Sequence, residues 1–573
     1  MKREETGGRL PAILTGARIR VFAQLLGIGV GLSAAAIASA LLVRFAFDHL
    51  LVARPARPDT LLLVGVGAGL AAAAAGSAWL RAVERVAAER LGQAYVHEVR
   101  LRLFDRVIAT APRALQQRST GGQVMRLVGD INALRQWVSL GLARVTVALT
   151  TTVASLAVLT LIDRLLAAVV ATAVGLGVVA ALVQGHGIRA STRDVRRRRG
   201  RLSANVNEKV ATAAVVQAFG QGRREHARVA QQSRRLQRAM IERARHLGRL
   251  QGVTEATTAA GTALVLIVGA ATGVRAGTVA AATLLVGLLS PQLRDLGRAE
   301  EFWHNFVIAS GKIREVLARP TAVPEVRDAL TLQPGPGRLE FAGVSVEGSL
   351  EALSAIAEPG QIIAVVGPNG SGKTTLLSLA ARLLDPYRGR VLLDGQDLSR
   401  YSLTSVRRAV GLAGPDLPLL RGTVEHNLRY RWPEAPDEEL VRVVALCGLE
   451  PLIAALPQGA ETRVAERGAG LSAGERQRIA LARALVGSPP VLLLDEADAN
   501  LDTQAAEVVD RVVRDHGGTI LLVTHRADLL LAADVIWYLE DGRLIETGTP
   551  AQLLDSDGPV SRLFRSWVVE AAP

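Results

Sequence analysis

Residues Gly367 to Thr375 read GPNGSGKTT and stand between an apolar run, Ile362 to Val366, and a helical-looking stretch, LLSLAARLL. A strand, a glycine-rich loop and a helix meeting at one point make a phosphate-binding loop. The glycines let the backbone curl its N–H groups toward the phosphates, and the helix N-terminus adds positive potential. Lys373 reaches the β and γ oxygens, and Thr374 can ligate Mg²⁺. The spacing G-x-x-x-x-G-K-T is met in full by Gly367, Gly372, Lys373 and Thr374, and Asn369, Gly370, Ser371 and Thr375 complete the candidate ATP contacts. Arginine is the default cation of this chain: of 67 basic residues only Lys2, Lys209, Lys312 and Lys373 are lysines. At the loop a compact ammonium is kept, which fits a phosphate cradle where a broad guanidinium fork would not.

Two further strand ends carry reactive side chains. Val491 to Leu494 reads as a buried strand ending in Asp495 and Glu496; the first acid can hold Mg²⁺ or its waters, and the second can polarise an attacking water. Ile520 to Val523 ends in Thr524 and His525. A histidine there can reach a γ-phosphate or serve only the local structure. Between them, LSAGE at Leu471 to Glu475 precedes RQRIALARAL, an amphipathic helix pattern. Ser472 and Gly474 can offer a hydroxyl and an N–H to an anion, although the residues alone read as a helix cap.

These motifs need a scaffold, and the composition changes character near residue 320. Before that point, residues 21 to 43, 60 to 80, 137 to 161, 165 to 184, 253 to 272 and 277 to 290 are apolar with almost no charge. The first five have about the ~20 residues a helix needs to cross ~30 Å of hydrocarbon; the sixth reaches that length by continuing through Gln292 and Leu293. Gly27, Gly31, Gly65 and Gly69 are expected to pack helices against one another. Residues 81 to 136 and 185 to 251 are long, hydrophilic and basic, and the other links are short, so the positive-inside rule puts both long segments and both termini in the cytoplasm. The net charge of +14 is thereby explained by inside loops and anionic lipid rather than by nucleic acid. No signal-peptide cleavage site follows the first run. The single Cys447 cannot form an intrachain disulfide and sits in an amphipathic stretch as a small core residue.

From about residue 338 the apolar runs shorten to strand length and alternate with helical patterns, as in an α/β nucleotide-binding domain. The expected architecture is an α-helical membrane domain of six spans over 1–318, a proline-rich linker over 319–337, and an α/β P-loop ATPase domain over 338–573. With these residues in hand, nearly the whole chain resembles an ABC transporter of the exporter type, a half-transporter. GPNGSGKTT resembles Walker A, LSAGERQ the family signature, VLLLDEAD Walker B, ANLD at 499 to 502 the D-loop, THR at 524 to 526 the switch-histidine motif and TRVAERG at 462 to 468 the exporter X-loop. STGGQVMRLVGDINALRQWV (119 to 138) and NEKVATAAVVQAFGQ (207 to 221) are similar to the two intracellular loops whose coupling helices touch the ATPase domains.

The resemblance implies a dimer of half-transporters that sandwiches two ATP molecules, each between Walker A of one subunit and the signature of the other. By it, Glu496 is the general base, His525 contacts the γ-phosphate, Asp495 and Thr374 serve Mg²⁺, and Ser472 and Gly474 contact the partner's nucleotide. Three departures stand out. Pro415 occupies the place of the Q-loop glutamine, with Asp416 beside it. Val346 to Gly348 supply no aromatic for adenine. The signature carries Ala473 for Gly and Glu475 for Gln. Such departures fit a heterodimer whose partner supplies the better residues, while intact Glu496 and His525 argue the other way. The leading reading is ATP-driven export of an unidentified small molecule, lipid or peptide across a bacterial cytoplasmic membrane. The rivals are a regulatory or weakly hydrolysing half of a heterodimer and an importer with the exporter fold. Thr150, Thr151, Thr152, Glu255 and Gln292 are the polar candidates at or near the spans.

Overall fold

The computed structural model describes residues 9–52, 60–110, 129–319, 321, 323, 328–497 and 503–570. They divide into two compact units, a helical one within Met1–Ile108 and Leu115–Pro320 and a second within Thr321–Pro573, to which residues 109 and 110 also belong. The helical unit is built from α1 (Ala17–Ala46), α2 (Thr60–Ile108), α3 (Ala143–Ile162), α4 (Arg164–Ala211), α5 (Gly222–Ala271) and α6 (Ala276–Leu317). Among the described residues, 5 helical stretches are long and apolar enough to cross a membrane, in α1 to α5. The apolar part of α6, Ala276–Leu289, is shorter, and the helix runs on unbroken to Leu317.

Helices α2, α4 and α5 have 49, 48 and 50 residues. At 1.5 Å per residue each is roughly 70–75 Å long, more than twice the hydrocarbon thickness, so their charged ends project beyond it. Only Asp163 separates α3 from α4, and its carboxylate accepts a 2.9 Å bond from the Leu166 N–H as the cap of α4. Asp48 does the same across the bundle: its Oδ1 accepts 3.0 Å from the Gly277 N–H at the start of α6. The charged extensions are joined by ion pairs. Arg243 on α5 reaches Glu301 on α6 at 2.8 Å, and Arg189 on α4 reaches Glu300 at 2.9 Å. Thr192 of α4 donates to Glu301 and accepts from Arg243, which makes one network of three helices.

The glycine expectation divides. A methyl on Gly31 would lie 3.1 Å from Leu80 and one on Gly69 3.0 Å from Leu42, so these two let α1 and α2 approach. Gly27 and Gly65 face open space instead; a methyl on Gly29 would lie 3.2 Å from Thr150. Thr150 and Thr151 donate to carbonyls one turn back in their own helix, and Glu255 accepts from Gln251 at 3.0 Å.

The second unit has an antiparallel sheet of β1 (Leu339–Val346), β2 (Leu350–Ala357), β4 (Arg388–Leu393) and β5 (Gln396–Asp397) in the order β2-β1-β4-β5. Beside it runs a sheet ordered β12-β11-β3-β10-β9-β6. Its strands are β3 (Ile362–Val366), β6 (Val410–Ala413), β9 (Val491–Asp495), β10 (Thr519–Val523), β11 (Val535–Glu540) and β12 (Arg543–Gly548), with only β12 antiparallel. A pair of short strands, β7 (Gly422–Thr423) and β8 (Arg463–Val464), carries the start of the X-loop-like segment. The sequences IIAVV, VLLLD and TILLV are apolar on both faces because both faces are covered. Edge-on packing of Phe341 against Trp537, 6.1 Å between rings, joins the two sheets through one core.

The second half of the proline-rich segment makes defined contacts. Leu330 bridges to Tyr401, and the N–H groups of Gly335, Gly337 and Arg338 all donate to the Asp394 carboxylate, so residues 330–337 are part of the second unit. Prolines at 334 and 336 fix an extended path while hydrogen bonds anchor it.

Cys447 is buried and free, its thiol pushed up to about 12 by burial, in keeping with a core role. His516, ahead of β10, is half-buried, its buried Nε2 lacks a partner among the described residues, and desolvation pushes its pKa down to about 4. Unfolded chains take up this proton below about 6.5 and the folded domain does not until about 4. Stability is therefore full above pH 6.5 and is lost as pH falls through that window, by at most about 3 kcal/mol. The H516Q chain should lose less thermal stability than wild type between pH 6.5 and 4.5 and differ from it by a constant offset above pH 7; scanning fluorimetry across pH measures both.

Candidate functional site

The parallel register brings the reactive strand ends to one edge. Val523 of β10 stands beside Asp495 of β9 and Val365 of β3, and Ala413 of β6 stands beside Leu494. The phosphate loop, the two acids, the Thr524–His525 pair and the Gly414–Asp416 turn therefore all leave the sheet at its carboxyl edge, where open α/β sheets bind ligands. The loop that follows β3 leads into helix α7 (Lys373–Ala380).

Two glycines of that loop are enforced. Gly367 has φ +145 and a methyl there would lie 2.0 Å from the Leu539 carbonyl oxygen; Gly372 has φ +106 and a methyl would meet Leu350 at 2.5 Å and the Ser349 carbonyl at 2.8 Å. Lys373 is buried, and its ammonium donates to the carbonyls of Gly367 at 2.8 Å and Pro368 at 2.9 Å. Burial lowers its pKa, against the opposing pull of Glu496 and Asp495. The Ser371 hydroxyl is buried without a partner among the described residues. A buried ammonium and an orphaned hydroxyl in a curled loop at a helix N-terminus suit a polyphosphate. Thr375 is turned inward, its hydroxyl bonded to that of Ser349 at 2.5 Å.

Next to the loop, the Thr374 hydroxyl donates to Asp495 at 3.4 Å. Asp495 has its pKa raised, by burial first and then by the negative charges of Glu496 and Asp416 against the Thr374 bond and Lys373. Concentrated negative charge beside a hydroxyl fits Mg²⁺, which takes one or two protein oxygens and completes its shell with phosphates and water. Among the described residues, no group of three or more His, Cys, Asp or Glu side chains is placed to hold a metal ion.

Glu496 follows with φ +47, a left-handed conformation unusual for a glutamate, while its N–H donates to Val523 at 3.0 Å. This bend holds its carboxylate 3.7 Å from His525 Nε2, with both side chains about half exposed. Arg526 braces the histidine loop. It pairs with Asp510 at 3.1 Å and with Asp528, whose bond is the main cause of its raised pKa, and its N–H donates to the Thr524 hydroxyl.

The LSAGE segment caps helix α8 (Ala473–Leu485). The Ser472 hydroxyl accepts from the Glu475 N–H at 3.2 Å, and the Glu475 carboxylate accepts from the Ser472 N–H at 2.7 Å. Both departures are thereby accommodated: Ala473 sits at the first helical position, which asks nothing of a glycine, and the charge of Glu475 is held at a helix N-terminus. Gly474 is buried beside them, and Gln477 ties α8 to the Ala497 carbonyl at 2.8 Å.

Some sequence-derived features lie outside the described residues: ANLD at 499 to 502 and the part of the first coupling segment from 119 to 128. The second coupling segment forms a short helix, Ala213–Ala218, between α4 and α5, with Val210, Val215 and Phe219 exposed.

Two residues near the candidate site carry weak sequence signals. Gly414 lies against Asp495, a methyl there being 3.0 Å from the Asp495 Cβ, so Asp416 in the following turn enters the electrostatic field of the acids. Tyr387 was missed. It precedes β4, its N–H donates to the Ser345 carbonyl at 2.7 Å, and its ring, 75% exposed, lines a cleft of about 510 Å³ with Val346, Gly348 and Ser349. Ser349 also touches the phosphate loop, so this aromatic borders the place where a nucleotide base would leave its phosphates. Its signal was an exposed tyrosine at a strand start, some forty residues from the strand it joins.

Comparison with known proteins places both units. Residues 350–499 match the family model "ABC transporter" and residues 25–291 match "ABC transporter transmembrane region". The uncharacterized ABC transporter ATP-binding protein YknV of Bacillus subtilis is 29% identical over 83% of this chain and 81% of its own length. The multidrug efflux ATP-binding/permease protein Rv0194 of Mycobacterium tuberculosis is 30% identical over 92% of this chain, which spans 45% of that protein. A solved bacterial Atm1-family ABC exporter with ATP bound is similar with TM-score 0.84 and 25% identity, over 97% of this chain and 98% of that one.

Gly372→Ala places a side chain in a left-handed position against Leu350 and Ser349. It should cost the domain about 1–3 kcal/mol of strain and weaken ATP binding, measured by equilibrium dialysis, by at least about tenfold. Gly370→Ala, which meets nothing within 4 Å, should weaken it less.

Proposed function

The chain belongs to the ABC transporter family, as an exporter-type half-transporter with its own ATP-hydrolysing domain, and we propose that a dimer of such halves uses ATP to export a small molecule, lipid or peptide across a bacterial cytoplasmic membrane. The observation that carries this reading is the common sheet edge at which the phosphate loop, Asp495 and the Glu496–His525 pair meet.

In this mechanism the loop N–H groups of Gly370 to Thr375, with Lys373 and the Ser371 hydroxyl, hold the β and γ phosphates. Burial keeps the lysine unsolvated, so its charge acts in a medium of low dielectric. Thr374 and Asp495 would hold Mg²⁺, with Asp416 adding charge from the turn after β6 in the absence of a Q-loop glutamine. A divalent ion held by these residues would supply positive charge against that of the phosphates. Glu496 orients a water for in-line attack and takes its proton, while His525 bonds the γ-phosphate and fixes the Glu496 carboxylate. Tyr387 stacks on adenine, supplying the aromatic that Val346 to Gly348 lack. Ser472 and Gly474 present the start of α8 to the nucleotide held by the other half.

Each of the three departures is met by a compensating feature: Asp416 near the acids, Tyr387 by the base cleft, and the capping box at LSAGE. These features support turnover at this chain's own site and remove the main argument for an impaired half. The reading makes the partner a second copy.

Two measurements test it. The purified chain alone should hydrolyse ATP, and Glu496→Gln should lower turnover at least about a hundredfold while ATP affinity stays within about twofold; no turnover and no vanadate trapping by wild type would instead establish the regulatory half. Separately, Tyr387→Ala should weaken ATP binding about 5- to 100-fold, the cost of one lost base–aromatic stack. Tyr387→Phe should bind normally, and inorganic tripolyphosphate should bind both variants as it binds wild type.

A further inference from the structure

The amino edge of the parallel sheet, opposite the phosphate loop, borders a cleft of about 590 Å³ within the second unit, a size that suits a small-molecule ligand. Ala409, just before β6, and Pro490, just before β9, stand in its wall, so the strands that lead to the Gly414–Asp416 turn and to Asp495 begin here. The 5 residues of β9 put about 16 Å of strand between this cleft and the acids. It is separate from the ATP site.

Most of the lining is apolar, and its edge is fixed by hydrogen bonds. Leu332, Pro334, Val486 and Pro490 share it with one large aromatic, Trp432, which also packs against the core. The Leu332 N–H donates to the Ser405 hydroxyl at 3.0 Å, that hydroxyl donates to the Ser402 carbonyl at 2.9 Å, and the Ser402 hydroxyl donates to Ser405 Oγ at 2.9 Å. Both serine hydroxyls are thus spent within the wall.

Charge comes from Arg408 and Arg431, and among the described residues no acidic side chain lines the cleft. Arg431 donates through Nη1 to the Val486 carbonyl and through Nη2 to the Arg408 carbonyl at 2.6 Å, while its Nε is buried without a partner among the described residues. Neutral carbonyls do not compensate a desolvated cation. Burial pushes the Arg431 pKa down to about 10, and the Glu439 carboxylate that opposes this is already held by Arg442 at 2.7 Å and by the Gly487 N–H at 2.6 Å. Arg408 is exposed, and its guanidinium makes no hydrogen bond or ion pair among the described residues. Two guanidinium groups at one cleft, with no acid in its lining, lack an anion.

We infer that this cleft is a second ligand site and that it takes a small aromatic anion, its carboxylate or phosphate head on Arg408 and Arg431 and its ring against Trp432 among Leu332, Pro334 and Val486. The planar fork of arginine matches either head, and the indole face favours a flat ring. An organic cation would meet two like charges. The site belongs to the ATPase domain and holds whatever the membrane unit carries.

The test uses the full-length protein in phosphatidylcholine nanodiscs, titrated by equilibrium dialysis with 2-naphthoate, 2-naphthyl phosphate and the 2-naphthylmethylammonium cation, with empty nanodiscs subtracted. Wild type should bind both anions at least about tenfold more tightly than the cation, and the tighter of the two identifies the preferred head. Arg408→Gln should weaken both anions at least about fivefold and leave ATP affinity unchanged. Trp432→Leu should weaken them about 3- to 10-fold, whereas inorganic phosphate, which has no ring, should bind that variant as it binds wild type. Arg431→Gln should abolish the preference for anions; because Arg431 also holds two carbonyls, Arg408→Gln carries the test if that variant fails to fold. Equal binding of anion and cation by wild type, or unchanged anion affinity in Arg408→Gln, overturns the assignment. So does displacement of 2-naphthoate by ATP, or its loss in Lys373→Ala, since either would put the anion at the phosphate loop.

Discussion

The ATPase domain depends on the register of its parallel strands. Because β3, β9, β10 and β6 run the same way and end level, three segments far apart in the chain deliver a lysine, two acids and a histidine to one rim. Hydrophobic burial on both faces sets that register, since a slip would expose leucine and valine that are fully buried in β9 and β10. The polar residues then have no choice but to sit at the strand ends, where the chain leaves the apolar layer. The left-handed turn at Glu496 and the positive φ of Gly367 and Gly372 are the local strain this convergence requires.

The helical unit solves a different problem with similar means. Its helices are far longer than a bilayer, and outside the hydrocarbon their packing can no longer be sorted by lipid. There the contacts become ionic: Arg243, Thr192 and Glu301 join three helices, Arg189 holds Glu300, and the buried Arg18 pairs with Glu98 at 2.9 Å while lying 5.6 Å from the centre of the Tyr95 ring. Inside the apolar segments, close approach falls to Gly29, Gly31 and Gly69, and hydroxyls bond their own helix.

Motif by motif, the sequence was most legible where spacing alone dictates chemistry. GPNGSGKTT, the Asp495–Glu496 pair and the Thr524–His525 pair fall on the loop and strand ends expected of them. The reading was weakest where a role is filled from elsewhere in the chain. A missing aromatic near Val346 looked like a defect because its replacement, Tyr387, is brought alongside by the antiparallel pairing of β1 with β4. Glu475 looked like an intrusive charge until its carboxylate was found on the Ser472 N–H. The three backbone bonds that residues 335–338 make to Asp394 leave no trace in composition.

By itself the sequence determined that this chain has apolar helices able to span a membrane, a phosphate loop, and an acid and a histidine at strand ends. Periodicity, length and motif spacing are properties of neighbouring residues, and one-dimensional order preserves them. Only the tertiary structure decided which distant groups come together: Asp416 with Asp495, Tyr387 with Ser349, and Arg81 with Arg144 in the lining of one cleft. Those meetings depend on strand register and helix packing, which bury apolar surface across long separations and carry the polar residues with them.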